Sequence, residues 1–588
     1  MAKWVMSAKK ADFNGLAEKL NVDPVIVRIM RNRELLTYED MYKFLNGSES
    51  DMHSPYLLND MEEAVKILLN AVSENKKIRV IGDYDVDGVT STYILTKGIR
   101  ELGGNVDYSI PNRITDGYGI NESLIENAYA DGVELIVTCD NGIAAKKAFE
   151  LAKSKGITSI ITDHHEVPYE EVDGEITYVY PEVAAIINPK RHDSTYPFKG
   201  ICGAMVAYKF ICAAYEKREA SKEILKGLRE MAGFGTICDV MELVDENRIL
   251  LKLALKDMEN SHNIGIRALR KVCDLDKRPM TGYQLGFVMG PCINATGRLD
   301  SASLSLELLF SDTMEDAIIR ATELKRLNDL RKEMTEEGVR NAFEIISENG
   351  LDKNKVMVVY LPELHESLAG IVAGRIRERF YRPTIVITKT EEGLKGSGRS
   401  IEAYNMHEEL NRVSELFTKF GGHKMAAGLS LEEENLNELT VRLNENCKLT
   451  EADLSEKFVI DVPMPLNYVS EKLINNLEIL EPFGPGNQKP VFATKNVHFI
   501  SFTSMGKSGD MGKFKVITED GQNKELILFR GLDEFAKAVC NKYGGGAWDK
   551  LVNGNGRDAE IVMDVIYYPG INEFRGNRSI QFVMQNYK

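Results

Sequence analysis

Aspartates follow two short apolar segments in the first quarter of the chain. Asp83 and Asp85 come directly after residues 79–82, and Asp140 follows residues 134–139. In both places a glycine and a helix-like stretch come next. Alternate positions of an extended segment point to the same side, so Asp83 and Asp85 are expected to share one edge. Their carboxylates are the hard oxygen ligands that divalent cations prefer.

A third apolar segment, residues 158–161, leads into Asp163, His164 and His165. At the carboxyl end of a strand, where the chain turns, two adjacent imidazoles can reach one pocket. Taken alone, this run is equally well explained by structural or exposed histidines. Asp239, in a mostly apolar segment, is a further acidic candidate, for which a helix cap is the alternative explanation.

The order strand, acidic residue, helix recurs through the first 170 residues, and it predicts βαβ units with a parallel sheet. In such sheets ligands bind beyond the carboxyl ends of the strands. The side chains expected to converge there are Asp83, Asp85, Asp140, Asp163, His164 and His165. Two carboxylates about 4 Å apart repel by about 4 kcal/mol at an effective dielectric near 20, which divalent cations relieve. Carboxylates with imidazoles and no thiolate favour Mn²⁺ or Mg²⁺ over structural zinc.

These residues belong to a longer series of motifs, through which the chain resembles the DHH phosphoesterase family and, within it, the RecJ-like single-stranded-DNA-specific exonucleases. The motifs occur in the same order along nearly the whole chain. They are residues 83–88, 140–142, 163–165, 188–189 with Gly203, 235–239, 290–298, 365–373, 395–400, 420–428 and 482–487.

The resemblance assigns roles to individual residues. It implies metal ligands at Asp83, Asp85, Asp140, His164 and Asp239. Asp140 would bridge two ions, Asp163 would orient an imidazole, and His165 would face the scissile phosphate. Asp87 is interpreted as support for its loop, although alternation alone would make it a third ligand. Some relatives that act on small phosphates carry a histidine at the position of Arg79, so one metal is expected to be weakly held.

The formal net charge of −16 argues against a nucleic-acid substrate, but the distribution of charge matters more than its sum. Arginines among small residues suit forked contact with phosphate, and glycines in residues 395–400 would let backbone N–H groups approach an anion. Solvated surface positions are the alternative for Arg331. With the resemblance, the predicted substrate-binding residues are Arg113, Asn294, Arg298, Arg331, Ser397, Gly398, Arg399, Gly421, Gly422 and His423.

The predicted fold is α/β: a parallel-sheet DHH domain, a linking helix to a second α/β domain of the DHHA1 type, and a C-terminal OB-type β-barrel. Apolar residues at three- or four-residue spacing predict the linking helix over residues 313–348. The predicted divisions are 1–55 (N-terminal helical segment), 56–310 (DHH), 311–348 (connecting helix), 349–451 (DHHA1-type) and 452–588 (OB-type). Phe514, with Lys513 and Lys515, is a candidate barrel contact to single strands, with burial in the barrel as the alternative.

Composition fits a globular protein, with 43% hydrophobic and 28% charged residues in 588. No stretch approaches 18 uninterrupted apolar residues, and the N-terminus lacks the apolar core of a signal peptide. The eight cysteines include no Cys-x-x-Cys pair, so they are expected to be reduced. A cytoplasmic protein with no membrane association is predicted.

The resemblance implies an exonuclease that degrades single-stranded DNA from the 5′ end in repair and recombination, releasing 5′-mononucleotides by two-metal-ion hydrolysis. Mn²⁺ or Mg²⁺ would serve as cofactor, and a single-strand-binding protein and a helicase would be partners. No spacing of residues encodes strand direction. One alternative is an oligoribonuclease or cyclic-dinucleotide phosphodiesterase of the same family, against which the extra C-terminal barrel argues. Another is a non-catalytic single-strand-binding repair scaffold, which would be expected to have lost metal ligands.

Overall fold

The computed structural model describes residues 3–111, 119–172, 175–299, 301–506, 511–574 and 577–588. Its α-helices are α1 (Phe13–Leu20), α2 (Pro24–Asn32), α3 (Tyr38–Asn46), α4 (Met61–Ser73), α5 (Val86–Glu101), α6 (Glu122–Ala130), α7 (Lys146–Ser154), α8 (Gly203–Lys217), α9 (Glu223–Cys238), α10 (Asp245–Met258), α11 (Ile264–Val272), α12 (Gly282–Gln284), α13 (Gly290–Leu299), α14 (Ser303–Leu309), α15 (Met314–Asn349), α16 (Ala369–Phe380), α17 (Met406–Asn411), α18 (Leu436–Asn446), α19 (Glu471–Glu478), α20 (Leu532–Tyr543) and α21 (Ala547–Val552).

The strands are β1 (Lys3–Met6), β2 (Lys77–Ile81), β3 (Asn105–Ser109), β4 (Leu135–Cys139), β5 (Thr158–Thr162), β6 (Tyr169–Val172), β7 (Glu175–Tyr178), β8 (Ala185–Ile187), β9 (Met357–Tyr360), β10 (Thr384–Thr390), β11 (Gly393–Arg399), β12 (Phe417–His423), β13 (Ala426–Leu431), β14 (Lys457–Ile460), β15 (Val462–Pro463), β16 (Phe492–Met505), β17 (Met511–Ile517), β18 (Asn523–Leu528), β19 (Val562–Phe574) and β20 (Asn577–Tyr587). A π-helical turn, Leu285–Met289, joins α12 to α13.

The chain forms two compact units. The first contains residues 52–241 and 245–456, and the second contains residues 2–51, 242–244 and 457–588. None of the helices in the described ranges combines the length and apolar character that a bilayer span requires. All eight cysteines are free thiols, as the sequence predicts.

A five-stranded parallel sheet organises the first half of the first unit. Its strand order is β3-β2-β4-β5-β8, and every pairing in it is parallel. Strand β4 is a short run of β-branched and apolar residues, and β2 has three such residues beside Lys77 and Arg79. Both strands are buried along almost their whole length, as expected for a sheet covered on both faces. The parallel sheet predicted from sequence is confirmed, and the carboxyl ends of its strands lie at one edge.

The first acidic motif lies in a turn and a helix start. Strand β2 ends at Ile81, two residues before Asp83, and Asp85 is the N-cap of α5, accepting a hydrogen bond from the Gly88 amide at 3.1 Å. The expected alternation of Asp83 and Asp85 along an extended strand is therefore wrong. The side chains meet because the strand ends and the helix begins within four residues.

The predicted linking helix is confirmed as α15, within one residue of the predicted ends. Thr313 caps its start by accepting from the Asp316 amide, and Gly350 ends it in the left-handed region at φ 63°. Glycine adopts that conformation without steric cost, so it is a common helix terminator. This helix packs against α11 and α13 at one end and α16 at the other.

A second sheet follows α15, with strand order β12-β13-β11-β10-β9. Residues 395–399, expected to form a glycine loop that binds an anion, lie in strand β11 between β10 and β13. A strand paired on both sides uses its backbone N–H groups in the sheet, so they cannot cradle a phosphate. A Cβ at Gly396 would lie 2.8 Å from Leu429 Cδ1, so this glycine allows close packing.

The second unit is built on a six-stranded sheet of order β15-β16-β17-β18-β20-β19, and a further pairing of β16 with β19 partly closes it. The OB-type fold predicted from sequence is confirmed as a partly closed sheet, not a regular barrel. Phe514 is fully buried in the core of this unit, so its ring does not contact a nucleic-acid strand, and the alternative of burial is correct. Lys513 pairs with Glu525 at 2.7 Å.

Candidate metal centre

Acidic side chains and two imidazoles gather at the carboxyl edge of the parallel sheet. In the described parts of the chain, three groups of side chains have ligand atoms within 4.8 Å of one another. The groups are Asp83 with Asp85 and Asp140, Asp140 with His164 and His165, and Asp87 with His164 and Asp239. Asp140 belongs to two groups and so joins the carboxylates of the first motif to the histidines. The structure thus brings together all five residues predicted as ligands.

Asp140 has the most constrained backbone of the cluster. It follows β4 in the left-handed region at φ 59°, and its amide donates to the Thr162 carbonyl at 3.0 Å. Such a conformation is uncommon outside glycine, and it concentrates at functional sites. The first residue of α8, Gly203, leaves room for it, because a Cβ there would lie 2.7 Å from Asp140 Cβ. The backbone therefore aims this carboxylate at the centre of the cluster.

His164 is the buried imidazole of the site. Its Nε2 lies 3.1 Å from Asp140 Oδ1 and 3.7 Å from carboxylate oxygens of Asp87 and Asp239. Burial lowers the pKa of His164 to about 4, so the ring is neutral near pH 7. A neutral imidazole is the form that coordinates a metal ion.

Asp163 holds the neighbouring loop in place and pairs with His165. Its Oδ1 accepts from the His164 amide at 2.7 Å and from the His165 amide at 3.1 Å, and it lies 2.8 Å from His165 Nδ1. Its Oδ2 accepts from the Ile143 amide at 2.9 Å. Burial opposes charge on both partners, but their mutual hydrogen bond and attraction lower the pKa of Asp163 to about 2 and raise that of His165 to about 9. Asp163 therefore orients His165.

Asp87 lies closer to the centre of the cluster than a residue that only supports its loop would. The side chain is buried, with one oxygen 3.7 Å from His164 Nε2. Both of its oxygens also accept from the first turn of α8, from the Gly203 amide at 2.7 Å and the Ala204 amide at 2.9 Å. The alternate spacing with Asp83 and Asp85 was the sequence signal that pointed to this residue.

The donor set fits a divalent cation. Among the described residues, Asp239 Oδ2 and His164 Nδ1 are buried without a hydrogen-bond partner, which is costly for polar atoms unless something else binds them. Burial, followed by the charges of Asp87 and Asp85, raises the pKa of Asp239 to about 8. Burial and the surrounding carboxylates also raise the pKa of Asp140 well above its ordinary range. This concentration of negative charge is what a bound cation would relieve.

Arg79 lies apart from the cluster. Its guanidinium donates to both oxygens of Asp107 at 2.7 Å and to Asp131 at 2.8 Å. These bonds join β2 to its neighbour β3 and to the end of α6, so the residue braces the sheet. Whether one metal is weakly held because Arg79 replaces a histidine stays a prediction.

Three predicted substrate residues lie on α13 and α15. Asn294 Oδ1 accepts from the Val86 amide at the start of α5, at 3.2 Å. Arg298 donates to the Ser367 carbonyl at 2.6 Å and so contacts the segment directly before α16. Arg331 donates twice to the Oδ1 atom of Asn328, at 3.0 and 3.2 Å. Asn328 is buried and orients Arg331 through these bonds.

Ser397 and Arg399 share one face of β11, opposite Gly398, which packs toward Met406 in the core. Ser397 lines a cavity of about 260 Å³ together with the segment before α16. The guanidinium of Arg399 lies against Gly370, where a Cβ would be 2.6 Å from its Nη2. Ser397 thus faces a cavity with its side chain, and Arg399 packs against the start of α16 and donates to the Gly398 carbonyl at 2.8 Å.

Gly421, Gly422 and His423 are exposed on β12, the edge strand of the second sheet. Gly422 has φ 150°, and a Cβ there would lie 2.4 Å from the Ala426 carbonyl oxygen. Glycine is therefore needed for the hairpin to form. Arg113, another predicted substrate residue, lies outside the described residues.

Three family profiles match the chain. The DHH family N-terminal domain matches residues 77–236, the DHHA1 domain matches residues 353–449, and the RecJ OB domain matches residues 460–586. The first covers β2 to α9 and thus every residue of the metal cluster except Asp239, which lies three positions beyond its end. The second covers the five-stranded sheet of β9 to β13, and the third covers nearly all of the six-stranded sheet.

The chain is similar over most of its length to proteins named as single-stranded-DNA-specific exonucleases. The chain is 33% identical over 595 residues to the single-stranded-DNA-specific exonuclease RecJ of Escherichia coli, covering 96% of this chain and 95% of that protein. It is 34% identical over 525 residues to the protein of that name from Bacillus subtilis, covering 88% of this chain and 65% of that relative. The crystal structure of RecJ in complex with Mn²⁺ from Thermus thermophilus superimposes with a TM-score of 0.81 at 24% identity, covering 100% of this chain and 79% of that one.

Proposed function

Because the chain belongs to the RecJ family of DHH phosphoesterases, we propose that it is a metal-dependent exonuclease that degrades single-stranded DNA from the 5′ end. The convergence of five carboxylates and two imidazoles at one sheet edge carries the metal-dependent hydrolysis, whereas the DNA substrate and the 5′ direction rest on the resemblance to the RecJ-type exonucleases. The relatives are named as single-stranded-DNA-specific exonucleases, and one neighbouring structure is a complex with Mn²⁺. Release of 5′-mononucleotides, in repair and recombination, is part of the same proposal.

Asp83, Asp85, Asp140, His164 and Asp239 would hold the ions, with Asp87 close enough to contribute. Bound Mn²⁺ or Mg²⁺ supplies a strong nucleophile from water at neutral pH and neutralises charge on the phosphoryl group. The chain supplies the orientation: the turn at Asp140 and the start of α8 fix the carboxylates before substrate arrives. Preorganised groups of this kind cost little reorganisation during reaction.

His165 is proposed to bind the scissile phosphate as a cation. Its Nδ1 lies 2.8 Å from Asp163 Oδ1. With Nδ1 donating to that carboxylate, the protonated ring carries its second proton on Nε2, from which it can donate to a phosphate oxygen. Because Asp163 raises the pKa of His165 to about 9, the ring carries this proton at neutral pH. Its charge would favour the anionic transition state over the ground state.

Asn294, Arg298, Arg331, Ser397 and Arg399 are proposed to position the strand, together with Gly421, Gly422 and His423 at the edge of the second sheet. Arginine suits this task because its planar fork binds two phosphate oxygens at once. The contacts of Arg298 with Ser367 and of Arg399 with Gly370 support a shared surface at the start of α16.

The proposal is tested with a single-stranded DNA oligonucleotide labelled separately at each end, in Mn²⁺. Early release of the 5′ label as mononucleotide is expected from the wild-type protein and not from Asp140→Asn. Asparagine is the suitable substitution because it also tolerates the left-handed backbone. Cleavage confined to matching RNA or to a dinucleotide would replace the proposal with small-oligonucleotide hydrolysis, and strand binding without any cleavage would replace it with the scaffold.

Two further expectations remain proposals. A cytoplasmic location is supported by the eight free thiols, which suit a reducing compartment. Association with a single-strand-binding protein and a helicase rests on the resemblance alone. Co-purification of each candidate with the full chain, with and without single-stranded DNA, is the direct test of that association.

A further inference from the structure

Two aromatic side chains near the metal centre are exposed and stacked on each other. Tyr283 and Phe287 are 68% and 71% exposed, and their ring centroids are 5.1 Å apart with planes inclined by 21°. Among the described residues, Phe287 is the most exposed large apolar side chain. Leaving two aromatic rings in water forgoes the free energy that burial would provide. The pair is therefore a candidate binding surface.

The pair stands on an irregular helix that contacts the metal centre. Leu285–Met289 forms a π-helical turn. Such turns are rare in proteins overall, and those that occur are frequently at functional sites. The turn packs against the end of α9: a Cβ at Gly290 would lie 2.5 Å from Cys238 Sγ, and one at Gly286 would lie 3.5 Å from Ile237 Cγ1. Asp239 is the next residue of that chain segment. The aromatic pair is thus held beside one end of the cluster.

The same helix reaches the opposite end of the cluster. A Cβ at Gly297 would lie 2.6 Å from the Tyr84 carbonyl oxygen, and Asn294 accepts from the Val86 amide. The helix is exposed or half-buried at residues 283, 287, 291, 294 and 298; residues 284, 286 and 288 beside the aromatic pair are also half-buried, and from residue 289 onward the positions between are buried. One accessible stripe therefore joins Tyr283 and Phe287 to Asn294 and Arg298.

The spacing along this stripe suits a polymer. Asn294 lies seven positions after Phe287, which is about 10 Å along a helix axis. A strand with one phosphate at the metal centre would therefore place a base a short distance along the chain over the aromatic pair. Every base has a flat face, so stacking on aromatic rings holds a single strand without reading its sequence.

We propose that Tyr283 and Phe287 form a stacking platform for a nucleobase of the single-stranded substrate. This proposal rests on the proposed function and names a subsite of it. The occupant is a nucleic-acid base and not an apolar protein segment, because the stripe that begins at the platform continues to the arginine and amide side chains proposed to bind phosphate. Exposed Lys277 and Arg278 precede the platform, in a segment that also exposes two acids, Asp274 and Asp276.

The test measures equilibrium binding of a fluorescent single-stranded oligonucleotide in EDTA, where hydrolysis does not compete. The double variant Tyr283→Ala/Phe287→Ala is expected to bind roughly 5- to 150-fold more weakly than wild type. Tyr129→Ala is the matched control, because Tyr129 is an exposed aromatic residue on α6 of the same unit. Its affinity should equal that of wild type. Thermal unfolding of each variant confirms that it is folded.

An abasic strand separates base stacking from other effects. Wild-type protein should bind the abasic strand more weakly than the normal strand. The double variant, which lacks the platform, should bind the two strands with equal affinity. Phe287→Trp adds a second reading, because its fluorescence should be quenched by a normal strand and unchanged by an abasic one. The chain has only two other tryptophans, whose signal is measured in the parent protein.

The platform would be overturned if the double variant bound the normal strand as tightly as wild type does. It would also be overturned if the double variant were weakened equally on the normal and the abasic strand. The aromatic patch would then be a contact for another protein. Metal-dependent cleavage by wild-type protein is scored separately. If wild-type protein cleaves the strand but the double variant binds it as tightly as wild type does, only this inference is refuted. If wild-type protein does not cleave the strand, the proposed function is refuted.

Discussion

Single residues carry the chemistry of this site because the backbone holds them in conformations that most side chains avoid. Asp140 adopts a left-handed conformation, and Gly203 meets it at a distance that no side chain would allow. Residue types and spacing were sufficient to predict Asp83, Asp85, Asp140, Asp163, His164 and His165 as one cluster. The close approach of Asp87 to α8 was not predictable, because its two amide donors lie more than 110 residues away in sequence.

Replacement of Gly203 by alanine should displace Asp140, because the new Cβ would lie 2.7 Å from Asp140 Cβ and 3.0 Å from its Cα. A shift of about 1 Å at a reacting group can cost about 100-fold in rate, and we expect a fall in kcat of that order. Gly227→Ala on α9 is the control, because no atom lies within 4 Å of its Cβ position. Equal kcat values for the two variants would refute the packing argument.

Stability without metal should depend on pH through the crowded carboxyl groups. Burial and neighbouring charges raise the pKa of Asp239 to about 8, whereas an unfolded aspartate titrates near 3.9. The folded state then binds more protons than the unfolded state between these values, so its stability is highest below about pH 4 for this group and is lost as pH rises through 8.

In EDTA, the unfolding temperature should therefore fall between pH 6 and pH 9, and it should fall less in Asp239→Asn. Added Mn²⁺ should flatten the wild-type profile, because cation binding stabilises the ionised form. Calorimetry across this pH range measures both effects. An identical slope in wild type and Asp239→Asn would show that Asp239 is not the titrating group.

At the scale of elements, the strength of a sequence signal decided what could be predicted. Residues 313–348 show a sustained helical period, and α15 has those ends within one residue. Residues 395–399 were misread as a loop because glycine and serine carry no strand pattern. Only the packing of Gly396 on Leu429, across two paired strands, shows why a small residue is needed in β11.

Buried Asn328 on α15 should act through Arg331, whose guanidinium it holds by two hydrogen bonds. Asn328→Ala removes the acceptor, so we expect the KM for single-stranded DNA to rise roughly 10- to 150-fold, as for a lost hydrogen bond to a charged group. The kcat should change little. Asn328→Asp keeps an oxygen acceptor and should restore most of the affinity, whereas a fall in kcat with unchanged KM would contradict this positioning role.

At the scale of the whole molecule, the N-terminal segment belongs to the same unit as the C-terminal sheet. Strand β1 pairs with β14, and the Trp4 indole donates to Asn586 at 3.0 Å. Contacts between residues more than 450 positions apart leave no local pattern, so the sequence predicted only a separate helical segment. The five predicted domain divisions stay a prediction beside the two units observed.

Fully buried Ile29 on α2 contributes to the core that residues 2–51 share with residues 457–588. Ile29→Ala should therefore destabilise the second unit by about 2–5 kcal/mol, as for other large-to-small core substitutions. Denaturant unfolding followed by the fluorescence of Trp548, which packs on the same core, reports on this unit. Unchanged stability of that transition would show that the N-terminal helices fold independently.

The central claim is that Asp140 joins both halves of a metal centre at the carboxyl edge of the parallel sheet. Electron paramagnetic resonance of free Mn²⁺, titrated with wild-type protein and with Asp140→Asn, tests it without reference to activity. The wild-type protein is expected to bind two ions, and the variant should bind at least tenfold more weakly at both sites. Equal Mn²⁺ binding by the two proteins would contradict the account.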